Sequence, residues 1–186
     1  RPADEGEGPA GVLWPILAIS CLNLIGFTVV APITPGLMTH FNLGSAASIG
    51  YISSSFALGR FATTSIWPIA SDYVGRRRIL CIALLGGALG AALQGAVLSF
   101  HWPFLYFLLA RGLAGMFSGI VPVVKAYIFD AFDADMVPKV LAKREAAGTM
   151  AFVIGPAIGG VMASRCFSSP CFFAATAGTV AAALTA

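Results

Sequence analysis

The sequence predicts an all-α membrane protein with six membrane-crossing helices. Three observations carry that reading. Of the 186 residues, 58% are hydrophobic and 10% charged, whereas soluble domains carry about 25% charged residues. The apolar residues fall in runs close to the roughly 20 residues that a helix needs to cross a bilayer. These runs do not alternate apolar with polar, as the strands of a membrane β-barrel do over about ten residues. Helices and closed barrels are the two structures that satisfy the backbone in lipid, so helices are expected throughout.

The chain divides in two. Residues 1–11 open with R-P-A-D-E-G-E-G-P-A, polar and rich in Gly and Pro. This stretch reads as a disordered tail, without the apolar run of a signal peptide. Residues 12–186 read as one transmembrane bundle. The expected spans are 12–35, 49–70, 79–100, 103–129, 146–164 and 170–186. Pro32 and Pro35 should kink or end the first, and Pro156 should interrupt the fifth. The last has about 16 residues, short for a crossing of about 20. With no initiator Met at the start, it reads as a truncated helix in a piece of a longer protein.

Orientation follows from the basic residues of short loops. Arg76, Arg77 and Arg78 follow the second span, and Lys125, Lys139, Lys143 and Arg144 follow or end the fourth. The opposite loops hold Arg165 as their one Lys or Arg, with His40 and His101. The N-terminus is therefore expected in the cytoplasm. Basic residues grouped at loops, rather than on one face, argue against a nucleic-acid partner. The expected partner is the lipid bilayer.

The polar knot between the second and third spans is S-D-Y-V-G-R-R-R, residues 71–78. Arg76 lies past the turn at Gly75 and can pair with Asp130 at the inner end of the fourth span. Asp72 sits at the end of its own helix. Together they read as a conformational latch. The alternative is that the arginines only set topology, which is favoured for Arg77 and Arg78.

Ionisable groups inside spans are costly and mark candidate sites. Arg60 precedes Asp72 by about 18 Å of helix. It needs a wet cavity or an internal partner. Arg111 is also deep within the fourth span. Both would make a central cavity electropositive and favour an anionic substrate. Asn23 in the first span is polar without titrating. Lys125 can snorkel to the interface. Every acid falls at an inner end or loop, which weakens the case for proton coupling. Glycine-rich runs at 86–95 and 155–160 read as sites of close helix packing.

No residues read as an enzyme, a metal site or a cofactor site. The four cysteines lack paired metal-site spacing. Cys166 and Cys171 share a short loop, where a disulfide and two free thiols are both open.

At this point the residues resemble a known family. P-I-A-S-D-Y-V-G-R-R-R at 68–78 is similar to the inner-loop motif of major facilitator superfamily transporters, with Asp72, Gly75, Arg76 and Arg77 in place. Pro68 stands where Gly is usual, and Tyr73 where a basic residue is usual. R-G-L-A-G-M-F-S-G at 111–119 resembles the motif of the fourth span, carried by Arg111, Gly115 and Gly119. G-T-M-A-F-V-I-G-P-A-I-G-G at 148–160 resembles a motif of drug–proton antiporters, carried by Gly148, Gly155, Pro156, Gly159 and Gly160. The first span looks like that of tetracycline-type antiporters, in which an acid often stands where Asn23 is here. The run around Arg60 resembles zinc-induced-facilitator-like members. The resemblance implies the six-helix N-terminal half, built of 3+3 inverted repeats, of a twelve-helix fold. It also implies the Asp72–Arg76–Asp130 latch. The expected function is secondary transport of a small organic solute by alternating access, with proton antiport. The alternative is a transport-inactive subunit or regulator. A C-terminal half or another membrane subunit is the expected protein partner.

Overall fold

The computed structural model describes residues 9–44 and 47–185, with side chains from Leu13 onward. The expected tail at 1–11 lies outside the described residues up to residue 8. From Pro9 the chain is already helical.

Every regular element among the described residues is helical. The α-helices are α1 (Pro9–Thr28), α2 (Thr34–His40), α3 (Ala47–Thr64), α4 (Ile66–Val74), α5 (Arg76–Ser99), α6 (Phe104–Ser118), α7 (Val121–Ala131), α8 (Val137–Arg165) and α9 (Ser169–Thr185), with a 3-10 turn at Ala31–Ile33. Leu13–His40, Arg76–Ser99, Phe104–Ala131 and Val137–Arg165 are long and apolar enough to cross a membrane. Ser169–Thr185 is apolar but shorter. The α3–α4 stretch is less apolar because Ser53, Ser54, Arg60, Thr64 and Ser65 interrupt it. The protein is an integral membrane protein.

Prolines explain where these rods break. A proline removes one N–H and crowds the carbonyl four residues back. Pro32 and Pro35 split the first rod at Val29–Ile33. Pro68 lies just past the α3–α4 break, and Pro122 just past the α6–α7 break. The Met116 carbonyl, near the end of α6, accepts from Thr63 Oγ1 (2.6 Å) and Trp67 Nε1 (2.7 Å). The α6 end is thus tied to α3 and α4. Pro156 behaves differently: α8 runs through it unbroken, against the expected interruption. Thr28 Oγ1 donates to the Ala151 carbonyl at 3.1 Å, one residue before the carbonyl that Pro156 leaves unpaired.

The helices pack as an arc in the order α8, α1, α9, α5, α6, α3. At one end α7 also touches α4, α5 and α8. Two apolar clusters fill the bundle. One joins Ile16, Leu80, Val124, Ile128 and Val140 near the Arg76 end. The other joins Val30, Leu37, Ile52, Leu98 and Phe107 toward the far end. Ile82, Leu85 and Leu89 form an exposed stripe on α5, as a lipid-facing surface should.

Small residues set the closest approaches. A methyl group added at Gly59 would overlap the Gly112 carbonyl, and one at Gly115 the Phe56 carbonyl. At Gly155 it would meet Thr28, at Gly159 the Val29 carbonyl, and at Gly148 Leu24. Gly119 approaches Trp67 and Thr64. Gly160 departs from the expected packing role: nothing lies within 4 Å of it, because it faces away from α1. Pro156 is only partly buried and adds no such approach.

At the far end His40 stacks between His101 (centroids 5.1 Å) and Phe167 (5.4 Å). The two histidines, which look isolated in the sequence, are neighbours. Cys166 and Cys171 are free thiols. Cys171 is fully buried in α9, whereas Cys166 is exposed at the turn before it.

Candidate functional site

Three arginines open α5, at the positive end of its dipole, where cations are disfavoured. Two carboxylates offset them. Arg76 Nη2 lies 3.0 Å from Asp72 Oδ1, and Arg76 Nε donates to Asp130 Oδ2. A third bond runs from Arg76 Nη1 to Ser71 Oγ at 3.1 Å. The structure therefore brings Asp72, Arg76 and Asp130 together, across α4, α5 and α7. Gly75 makes this possible. It has φ +105°, closes α4 and opens α5 in one residue, in a conformation that side chains disfavour. Ser71 is a member of the cluster that the sequence reading passed over. Arg77 points elsewhere and donates to the Thr185 carbonyl.

The interior residues Asn23, Arg60 and Arg111 line two cavities rather than one. The smaller, about 70 Å³, is lined by Asn23, Gln94 and Arg111 among others. The larger, about 350 Å³, is lined by Asn23, Arg60, Lys125, Arg144 and Glu145 among others. Asn23, Phe27, Phe56 and Ser118 border both, so the cavities adjoin there. The Phe27 and Phe56 rings stand 5.1 Å apart at this border. Arg111 lines the smaller cavity and Arg60 the larger, on either side of these shared residues.

Arg111 is held from two sides. Its Nη1 donates to Gln94 Oε1 at 3.2 Å, and its guanidinium carbon lies 5.5 Å above the Phe56 ring. Gln94 is itself 2% exposed and anchored through Nε2 to the Gly90 carbonyl. Arg111 Nε has no partner among the described residues. Gln94 was missed in sequence, where it stands inside a run of small residues. The available signal was its amide, a polar group that must find a partner in an apolar helix.

Arg144 and Glu145 were also misplaced by the sequence reading. Read as loop charges, they lie instead inside α8, which begins at Val137 rather than near residue 146. Arg144 is 6% exposed and bonds Glu145 through Nη1. Glu145 is the one acid lining either cavity among the described residues. Glu145, expected at an inner end or loop, stands in the first part of a longer α8, which carries it onto the cavity wall. Among the described residues no group of three or more metal-ligating side chains gathers.

The model of the Major Facilitator Superfamily fits residues 16–186. The chain belongs to the major facilitator superfamily. Its relatives within this superfamily include multidrug resistance protein 1 of Bacillus subtilis, 32% identical over 88% of this chain and 41% of that protein. Quinolone resistance protein NorA of Staphylococcus aureus is 26% identical over 86% of this chain and 40% of its own length. Zinc induced facilitator-like 1 of Arabidopsis thaliana is 30% identical over 67% of this chain and 25% of its own length. The chain therefore spans about two fifths of the length of the bacterial relatives. Superfamily membership supports a non-enzyme, and the multidrug and quinolone resistance relatives are consistent with the drug–proton antiporter-like side of the superfamily.

Proposed function

We propose that this chain is half of a secondary active transporter that moves a small organic solute by alternating access, coupled to proton antiport. The observation that carries this reading is the larger cavity, a chamber among α1, α3, α7 and α8 lined by charged, polar and apolar side chains. Superfamily membership and relatives named for multidrug and quinolone resistance support it. The Asp72–Arg76–Asp130 cluster would hold one state of the cycle and part as the halves rock. Glu145, on the cavity wall, is the carboxylate to which this proposal assigns the coupling.

The test uses the full-length protein in proteoliposomes with an imposed pH gradient. A fluorescent quinolone should accumulate with the gradient and stop when it is collapsed. Glu145→Gln should remove the dependence on the gradient. Quinolone flux that ignores the gradient sinks proton coupling. Absence of flux for any solute favours the inactive-subunit reading, in which the partner is another membrane subunit rather than a substrate.

The N-terminus and the Arg76 end face the cytoplasm in this proposal, by the positive-inside rule. Cys166 then faces the opposite side. The Ser168 hydroxyl, 3.4 Å away, holds the Cys166 thiol below its ordinary pKa. More of it is thiolate at neutral pH than in an ordinary exposed cysteine. A membrane-impermeant maleimide should label Cys166 on intact cells, with a rate that levels off at lower pH than a model thiol. Labelling only after permeabilisation reverses the orientation. Cys171 should stay unlabelled while the protein is folded.

A further inference from the structure

We propose that the larger cavity is a binding site for a small organic dianion with an apolar body, held by Arg60, Lys125 and Arg144. The proposal rests on the transport reading and names the substrate class for it. Three cations from α3, α7 and α8 line one chamber of about 350 Å³. The single acid beside them, Glu145, is bonded to Arg144, which leaves a net charge of +2. Like charges facing one cavity raise the energy of the empty site, and an anion lowers it.

Two buried polar atoms on the wall add a sharper argument. Arg144 is 6% exposed, and its Nε has no partner among the described residues. Ser20, 5% exposed, has an unpartnered hydroxyl on the same wall. Buried donors left unmade are costly, and both belong to residues that line the chamber. Arg60 and Lys125 are exposed to the chamber and have no ion pair among the described residues. Their long side chains can follow a ligand of variable shape. Much of the remaining wall is apolar, with Leu24, Phe27, Phe56, Ile120 and Phe152, and Asn23, Ser118 and Thr149 add neutral polar groups. It fits a carbon framework better than a hydrated inorganic ion. The chemistry therefore selects two acidic oxygens groups on an apolar body.

The experiment is binding by calorimetry to the full-length protein in nanodiscs of phosphatidylcholine, with phthalate as the probe. Phthalate should bind, benzoate should bind about tenfold more weakly, and benzyltrimethylammonium should not compete. The ratio follows from losing one charge-assisted contact. Lys125→Gln and Arg144→Gln should each weaken phthalate by about tenfold, and Lys125→Arg should restore it. Arg60→Gln gives a second variant at an exposed position, in case Arg144→Gln fails to fold. Equal binding of benzyltrimethylammonium, or wild-type phthalate binding in Lys125→Gln, overturns the proposal. So does inorganic phosphate binding as tightly as phthalate, since the apolar wall would then contribute nothing. Complete displacement of phthalate by phosphatidylglycerol added to the discs assigns the site to a lipid headgroup and overturns a soluble cargo. Quinolone uptake without phthalate binding leaves transport standing and removes this site. Phthalate binding without uptake of any solute keeps the site and removes transport.

Discussion

Replacing Arg76 with Gln should cut transport by the full-length protein about tenfold, yet shift its melting temperature by only a few degrees. The two readouts separate because the contacts are local and partly wet. The Arg76 side chain is 24% exposed, and those of Asp72 and Asp130 are 60% and 58% exposed. Ion pairs this exposed are worth about 0–1 kcal/mol to folding. A shift of about 1.4 kcal/mol in a two-state equilibrium, however, changes its populations tenfold. In the proposed alternating-access cycle the cluster exists in one state, so all of its free energy acts on that equilibrium. Asp72→Asn and Asp130→Asn each leave Arg76 one carboxylate, so each should have a smaller effect. The pair of substitutions together should match Arg76→Gln rather than exceed it. Arg76→Lys separates this account from a topological one. It keeps the positive charge, and so the orientation, but a lysine cannot fork between Asp72, Asp130 and Ser71 as a guanidinium does. Transport measured at equal expression is the check. Wild-type rates in Arg76→Lys and in Asp72→Asn would leave the arginine as a topology signal alone.

Gly159→Ala and Gly160→Ala should move stability in opposite directions, although the residues are adjacent. At Gly159 the added methyl overlaps the Val29 carbonyl oxygen, where α1 breaks against α8. That neighbour is backbone and has no rotamer by which to retreat. Overpacking of this kind costs about 1–3 kcal/mol. At Gly160 the methyl meets nothing within 4 Å. Ala is favoured over Gly inside a helix by about 1 kcal/mol. Thermal unfolding in detergent should show the first variant melting several degrees lower, and the second unchanged or slightly higher. Equal shifts would mean that the α1–α8 contact is not as close as the backbone places it. Loss at Gly160 alone would point to a further surface packing on that face.

The contrast between these two glycines shows how far the sequence could be read. Apolar runs of about 20 residues marked the rods, and prolines marked most of their breaks. Asp72, Gly75, Arg76 and Asp130 were legible because charges are scarce and must meet. What the sequence could not supply was helix phase. Gly159 and Gly160 differ by the roughly 100° that separates successive residues of a helix. Their roles diverge on that rotation alone. Pro156, which in isolation signals a break, stands inside an α8 that runs on unbroken and is bonded at the Ala151 carbonyl by Thr28 of another helix. The depth of Arg60 and Arg111 can be counted along the chain, whereas the Phe27–Phe56 ring pair that stands between their cavities joins two helices and cannot. Arg144 was taken for a loop charge because α8 extends nine residues or so beyond its apolar part, on residues with good helix propensity.

The backbone approaches at Gly59, Gly115 and Gly159 also bear on how this bundle responds to temperature. Side chains in lipid are already out of water before the helices meet. Bringing Gly115 against Phe56 therefore gains dispersion between close-packed atoms and releases little water. The heat capacity of unfolding comes from apolar surface exposed to water. Separation of these helices within the bilayer should carry a small heat capacity change. Their association should then follow a nearly straight line against temperature, strengthening on cooling, without the dome that marks a soluble protein.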